Sequence, residues 1–242
     1  MSWVICKREL SAYFSTPVAY VFIFMFLALA GMFTFYLGQF YQRGQADLVP
    51  FFNFHPWLYL FFMPAVAMGL WSQERQLGTI EMLLTLPVSP AQAVLGKFFA
   101  AWLFAGIALL LTFPMWLAVN YLGAPDNGVI VASYLGSWLM AGAFLAIGSC
   151  MSVLSRNQIV AFILSVVLCF VFMVSGLSMV LDVVRAWAPL AVVDMVAGLS
   201  FLTRFEAMSR GVIDLRDVGY FVWLIAVWLM ATVHLLNIKK AA

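Results

Sequence analysis

Long apolar runs separated by short polar ones set the pattern of this chain. Val18 to Gly38 holds no charge and is rich in Phe; Phe51 to Trp71, Phe98 to Tyr121, Val129 to Leu154, Ile159 to Leu181 and Val218 to Ile238 repeat the theme. Crossing a hydrocarbon core takes roughly 20 residues at 1.5 Å each, so six spans are expected. The breaks between them are polar or carry turn residues: 39–50 with Arg43 and Asp47, the GAPDNG turn at 123–128, and a very short link at 155–158. Pro64 and Pro114 predict kinks within spans two and three. In the fourth, Gly142 with Ala146 and Gly148 with Ser152 form small-xxx-small pairs, which suit either ordinary packing or a specific dimer face.

Residues 1–17 differ. Trp3, Cys6, Leu10 and Phe14 share one side, Lys7, Arg8 and Glu9 another, and Pro17 ends the segment. This pattern predicts an amphipathic interfacial helix. The longest polar interruption, 72–97, carries Glu74, Arg75 and Glu81 within two helical turns, with Leu77, Ile80, Leu83 and Leu84 at three- and four-residue spacing. A short amphipathic helix is expected there. Thr85 to Pro90 breaks it, and Ser89 stands where it caps a new helix. The outer loop 182–217 holds an apolar stretch, Leu190 to Leu202, too short to span and suited to a re-entrant or interfacial helix. The charged stretch after it, with Arg204, Glu206, Arg210, Asp214, Arg216 and Asp217, reads either as a solvated loop whose charges pair among themselves or as a partner-docking or gating element.

Composition agrees with a membrane setting. The 242 residues are 66% hydrophobic and 9% charged, with a mean hydropathy of +1.06, where soluble proteins carry about 25% charged residues. The expected fold is one all-α transmembrane domain over 1–242. Six spans place both termini on one side, with Lys7, Arg8, Arg75, Lys97, Arg156, Lys239 and Lys240 there against Arg43, Arg185, Arg204, Arg210 and Arg216 opposite. That excess orients both termini to the cytoplasm. The amino terminus does not read as a cleavable signal. No basic cluster exceeds a pair, which excludes a nucleic-acid surface. Cys6, Cys150 and Cys169 read as packing residues without metal spacing.

The chemistry is sparse. No Asp, Glu, Lys or Arg falls inside the six spans as drawn, which argues against an ion-driven carrier and an intramembrane protease. His55 and His234 lie near the ends of different spans at opposite faces and read as amphipathic interface residues rather than a metal site. The Gly96-Lys97 pair lacks the remaining residues of a phosphate loop, with Ala91 and Phe98 at the decisive positions. Any energy for work is expected from a separate subunit, with no cofactor, catalytic or metal site in this chain.

The order of helix, span, outer loop and span, followed by E-R-x-x-G-T-x-E-x-L-x-x-x-P-x-S, resembles the permease subunits of the type-2 ABC exporter family. The motif is Glu74, Arg75, Gly78, Thr79, Glu81, Leu83, Pro87 and Ser89, followed by Gly96-Lys97. KRELSAYFSTPVAY at 7–20, SRNQIVAFILS at 155–165 and RGVIDLRDVGYF at 210–221 are similar to the gliding-motility and nitrous-oxide-reductase-accessory permease subgroup. The resemblance implies a bacterial inner-membrane exporter subunit, paired with a second permease copy and with two cytoplasmic ATPase subunits that bind ATP and Mg. An extracytoplasmic accessory protein is a further possible partner. It also implies that the amino-terminal helix and the loop between spans two and three meet the ATPase. Lys7, Arg8, Glu9, Glu74, Arg75, Gly78, Thr79, Glu81, Pro87, Ser89 and Lys97 are the contact residues that follow. Arg75 and Lys97 are expected to meet acids on the partner. Two other functions stay open: a mechanotransmitter acting on an extracytoplasmic protein, and a stand-alone membrane enzyme or scaffold.

Overall fold

The computed structural model describes residues 2–79 and 88–240, and the regular structure among them is helical. Helix α1 is Ser2–Ser15, and Pro17, at the first turn of α2 (Pro17–Met32), separates the two. The α2 run widens into a π turn at Phe33–Leu37. There the Thr34 hydroxyl donates to the Ala30 carbonyl at 2.6 Å, inserting a side chain into the helical ladder.

The second apolar run is three helices in series: α3 (Val49–Asn53), α4 (His55–Ala67) and α5 (Gly69–Leu77). Pro50 and Pro56 open the first two. Pro64 lies in the α4 interior, and the helix is interrupted one turn later at Met68. Gly78, at φ +71°, ends α5 in the left-handed conformation that glycine tolerates best. The amphipathic helix expected from Glu74 through Leu84 is therefore interrupted after Leu77. Its carboxy-terminal half, with Ile80, Glu81, Leu83, Leu84 and Pro87, lies outside the described residues.

Helix α6 (Pro90–Leu110) begins at a capping box in which Ser89 accepts from the Gln92 amide and the Gln92 side chain accepts from the Ser89 amide, both at 3.3 Å. Ser89 caps as its position predicts. The helix, however, starts eight residues before the expected span, so Gly96 and Lys97 lie inside it. Leu111 and Thr112 break the run, and Pro114 sits in the first turn of α7 (Phe113–Leu122).

Helix α8 (Asn127–Leu154), capped by Asp126, is the most buried of the long helices. Helix α9 (Gln158–Val174) follows a cap by Asn157. It ends earlier than the expected span, because the chain turns by 81° before α10 (Ser178–Arg185). Gly176 permits this turn, since a Cβ there would stand 2.5 Å from the Cβ of Ser200. The outer stretch then forms α11 (Leu190–Gly198) and α12 (Phe201–Ser209), broken at Leu199 and Ser200, where one apolar helix was expected. Helix α13 (Leu215–Lys240) closes the chain.

Among the described residues, four helical runs are long and apolar enough to cross a membrane: Pro17–Leu37, Pro90–Leu122, Asn127–Leu154 and Leu215–Ile238. Gln158–Val174 with Ser178–Arg185 makes a fifth if the bent pair counts as one. The core gathers on α8, which touches α4, α6, α9, α12 and α13.

Its small residues are what permit that crowding. A Cβ on Gly148 would lie 2.5 Å from that of Ala67, and one on Gly142 would lie 2.8 Å from the Trp102 ring nitrogen. The small-xxx-small pairs thus serve packing inside this chain. Trp102 in turn stacks on Trp138 at 4.3 Å and donates to its backbone carbonyl at 2.9 Å.

Candidate functional site

The charged residues expected along the amino-terminal helix and the 72–97 element converge on one side chain, Lys97. Helix α1 lies along α6, and Gly96 permits the contact: a Cβ at this position would be 2.8 Å from the Cβ of Ile5. Tyr13 and Phe14 then seat their rings on Phe104, at 5.2 and 5.8 Å. This docking brings Glu9 of α1 to 3.5 Å from the Lys97 ammonium, while Glu74 of α5 approaches it at 2.7 Å. The Lys97 side chain is only 5% exposed. Trp71 adds its ring face 5.4 Å from the ammonium.

One cation therefore ties three helices together. Lys97 meets acids of its own chain, where a partner's acids were expected, because the early start of α6 carries it into the interior. The second oxygen of Glu74, Oε2, is buried and has no hydrogen-bond partner among the described residues. Arg8 pairs with Glu9 at 2.8 Å from the solvent side, and that hydrogen bond raises its pKa. Burial, with the Glu9 charge, raises the pKa of the Tyr13 phenol.

Arg75 is also turned inward. Its guanidinium donates to the backbone carbonyl of Val153 at the end of α8, and desolvation, with Arg156 nearby, lowers its pKa. Lys7, Arg8, Gly78, Thr79 and Ser89 are exposed. Glu81 and Pro87 lie outside the described residues. The sequence-derived set is thus divided: four of its members, Glu9, Glu74, Arg75 and Lys97, bind the chain to itself, and five present a surface.

Behind this cluster is a polar joint that the sequence pattern does not single out. The Ser152 hydroxyl accepts from the amides of Trp71 and Ser72, both at 3.0 Å, and donates to the Met68 carbonyl at 2.7 Å. Ser149 accepts from the Trp71 indole at 3.1 Å. These bonds satisfy the backbone groups freed where α4 gives way to α5, as a break inside a membrane protein requires. The available signal was the conjunction of Pro64 with a serine pair one turn apart on α8, but serines of this kind are common in membrane helices.

At the other end, the charges of 204–217 pair mainly with one another. Arg204 meets Asp217 at 2.9 Å and lies 5.6 Å from the Tyr220 ring. Arg210 pairs with Glu206, and Asp214 accepts from the Arg216 amide at 2.9 Å. The Arg216 residue is exposed. His55, expected at an interface, is fully buried among Phe26, Phe51, Phe52 and Tyr59. Folding of α3 against α4 encloses the residue.

A helical, multi-pass membrane protein is thus defined, with an amino-terminal helix locked onto the end of its long apolar runs. The chain belongs to the ABC-2 family of transporter proteins, whose family model, described as ABC-2 family transporter protein, matches residues 6–176. That match takes in α1 from Cys6 onward, the Lys97 cluster and the Ser152 joint. No match was found among curated proteins.

Proposed function

We propose that this chain is the permease subunit of an ATP-driven exporter, converting ATP hydrolysis in a separate cytoplasmic ATPase into outward movement of a substrate. The observation that carries this reading is the shared Lys97 contact. Glu9 on α1 and Glu74 on α5 answer one buried ammonium on α6. A push on the exposed residues Lys7, Arg8, Thr79 or Ser89 therefore moves α1, α5 and α6 together rather than bending a loose loop. Six spans with both termini in the cytoplasm of a bacterial cell fit this reading, as does the gliding-motility and nitrous-oxide-reductase-accessory subgroup.

Two apolar surfaces suit pairing with a second copy. Val21, Phe24 and Met25 on α2, and Ile163, Val167 and Phe170 on α9, are exposed. Catalysis and its ATP and Mg belong to the ATPase partner.

A second reading, transmission of motion to an extracytoplasmic protein, is favoured by one observation. Helices α10 and α11 and the turn between them expose Met179, Trp187, Leu190 and Met195 at 71–81%.

The test is purification of the tagged chain from native membranes in mild detergent beside a Lys7→Glu, Arg8→Glu variant. An ATPase subunit recovered with the native chain and lost from the folded variant supports the reading. Its absence from both removes it. An extracytoplasmic protein recovered in the same preparation supports transmission.

A further inference from the structure

A groove of about 520 Å³ runs between α6 and α13, lined among the described residues by these two helices alone. Val94, Phe98, Ile225 and Leu229 make a buried floor. Leu95 and Phe99 on one rim, and Val222 and Met230 on the other, are exposed. Trp102 and Ile225 come together beside Gly142 at one end, and Ala91, His234 and Asn237 line the other. The lining extends about 16 Å along α6 and about 22 Å along α13, at 1.5 Å per residue. One leaflet of hydrocarbon is roughly 15 Å deep. An acyl tail can therefore lie in the groove along its length.

The chemistry of the two ends differs. His234 and Asn237 are exposed, and their side chains make no hydrogen bond among the described residues. Each offers an N–H. Lys239 and Lys240 follow in the next turn of α13, and Lys240 stands three residues beyond Asn237 and seven beyond Val233, the spacing of one helix face. No carboxylate lines the groove. Helix α6 carries no acid, and Asp217 of α13 is at the far end of that helix, paired with Arg204. N–H donors and positive charge without a carboxylate, at the mouth of an apolar trough between two spans, suit an anionic headgroup. A zwitterionic headgroup brings the same phosphate but returns a cation against the lysines. A free phosphate leaves the trough empty.

We propose that this groove is a binding site for an anionic glycerophospholipid, its tail along the α6–α13 floor and its phosphodiester at His234, Asn237 and the lysine pair. Pairing with a second copy was assigned above to α2 and α9, so the groove stays open to lipid. The site needs only a chain that sits in a bilayer and does not depend on the exporter reading.

Photolabelling of the full chain in phosphatidylcholine nanodiscs tests this, with a trace of phosphatidylglycerol or of phosphatidylcholine carrying the same photoreactive tail. Mass spectrometry of the labelled peptides is expected to place the phosphatidylglycerol probe on residues 90–102 and 222–237, about tenfold or more above the phosphatidylcholine probe. The double variant Lys239→Gln, Lys240→Gln brings the two probes to the same level there. Ala226→Trp, which fills the trough from an exposed lining position without touching a charge, lowers labelling by both. Equal labelling of the native chain by the two probes overturns the proposal, as does labelling unchanged in both folded variants. A crosslinked dimer from Met230→Cys, treated with a short bifunctional thiol reagent in native membranes, also overturns it by seating a second copy on the groove.

Discussion

A lysine side chain that is 5% exposed is tolerable only while its charge is answered nearby, and Lys97 has two carboxylates within 3.5 Å to do so. Lys97→Met takes the cation from Glu74 and leaves Glu9 with only the exposed Arg8. It is expected to destabilise the chain by about 3–5 kcal/mol, the usual cost of breaking a buried pair on one side. Adding Glu9→Gln and Glu74→Gln recovers much of that loss, because no uncompensated charge remains. Denaturant unfolding of the detergent-solubilised chain measures both, and equal stability of the single and triple variants would show that the cluster is not held by charge. Ser152 makes a parallel case with neutral groups. Its replacement by Ala strips two amide donors and one carbonyl of their partner and is expected to cost about 1–3 kcal/mol in the same assay. Ser178→Ala, at the exposed start of α10, serves as the control.

Between elements, backbone approach decides what packs. The α4–α8 contact at Gly148 and Ala67 leaves no room for a further methyl group, and Gly148→Ala is expected to cost about 1–3 kcal/mol through overpacking. Ala67→Gly in the same chain should return part of it, whereas a contact free to relax would show no loss to recover. The turn at Gly176 obeys the same geometry. That turn separates α9 from α10 although the apolar run continues to Leu181, so hydropathy alone extends the helix too far.

For the whole molecule, the exposed apolar stripes on α2 and α9 carry the expectation of a second copy. All three native cysteines are buried, so a single exposed cysteine can report on pairing. Phe24→Cys on α2, treated with a short bifunctional thiol reagent in native membranes, is expected to give a crosslinked dimer, while Tyr121→Cys on α7 is not. Crosslinking at Tyr121 alone would move the pairing surface to α7.

What the sequence determined by itself is local in origin. Runs without charge specify helices that can cross a membrane, and Pro17, Ser89, Asp126 and Asn157 set where helices begin, because each acts on backbone groups within a few residues. The ordered motif around Glu74 and Gly78 pointed to the family for the same reason, being contiguous in the chain. Only tertiary structure decided what those residues touch. The placement of Lys97 between Glu9 and Glu74, the plug formed by Ser152, the enclosure of His55 and the inward turn of Arg75 all join residues far apart in sequence. Burial and partner choice depend on helix packing, which no local pattern encodes. Polar residues on both sides of such a contact look the same in sequence whether they face a partner, the solvent or each other.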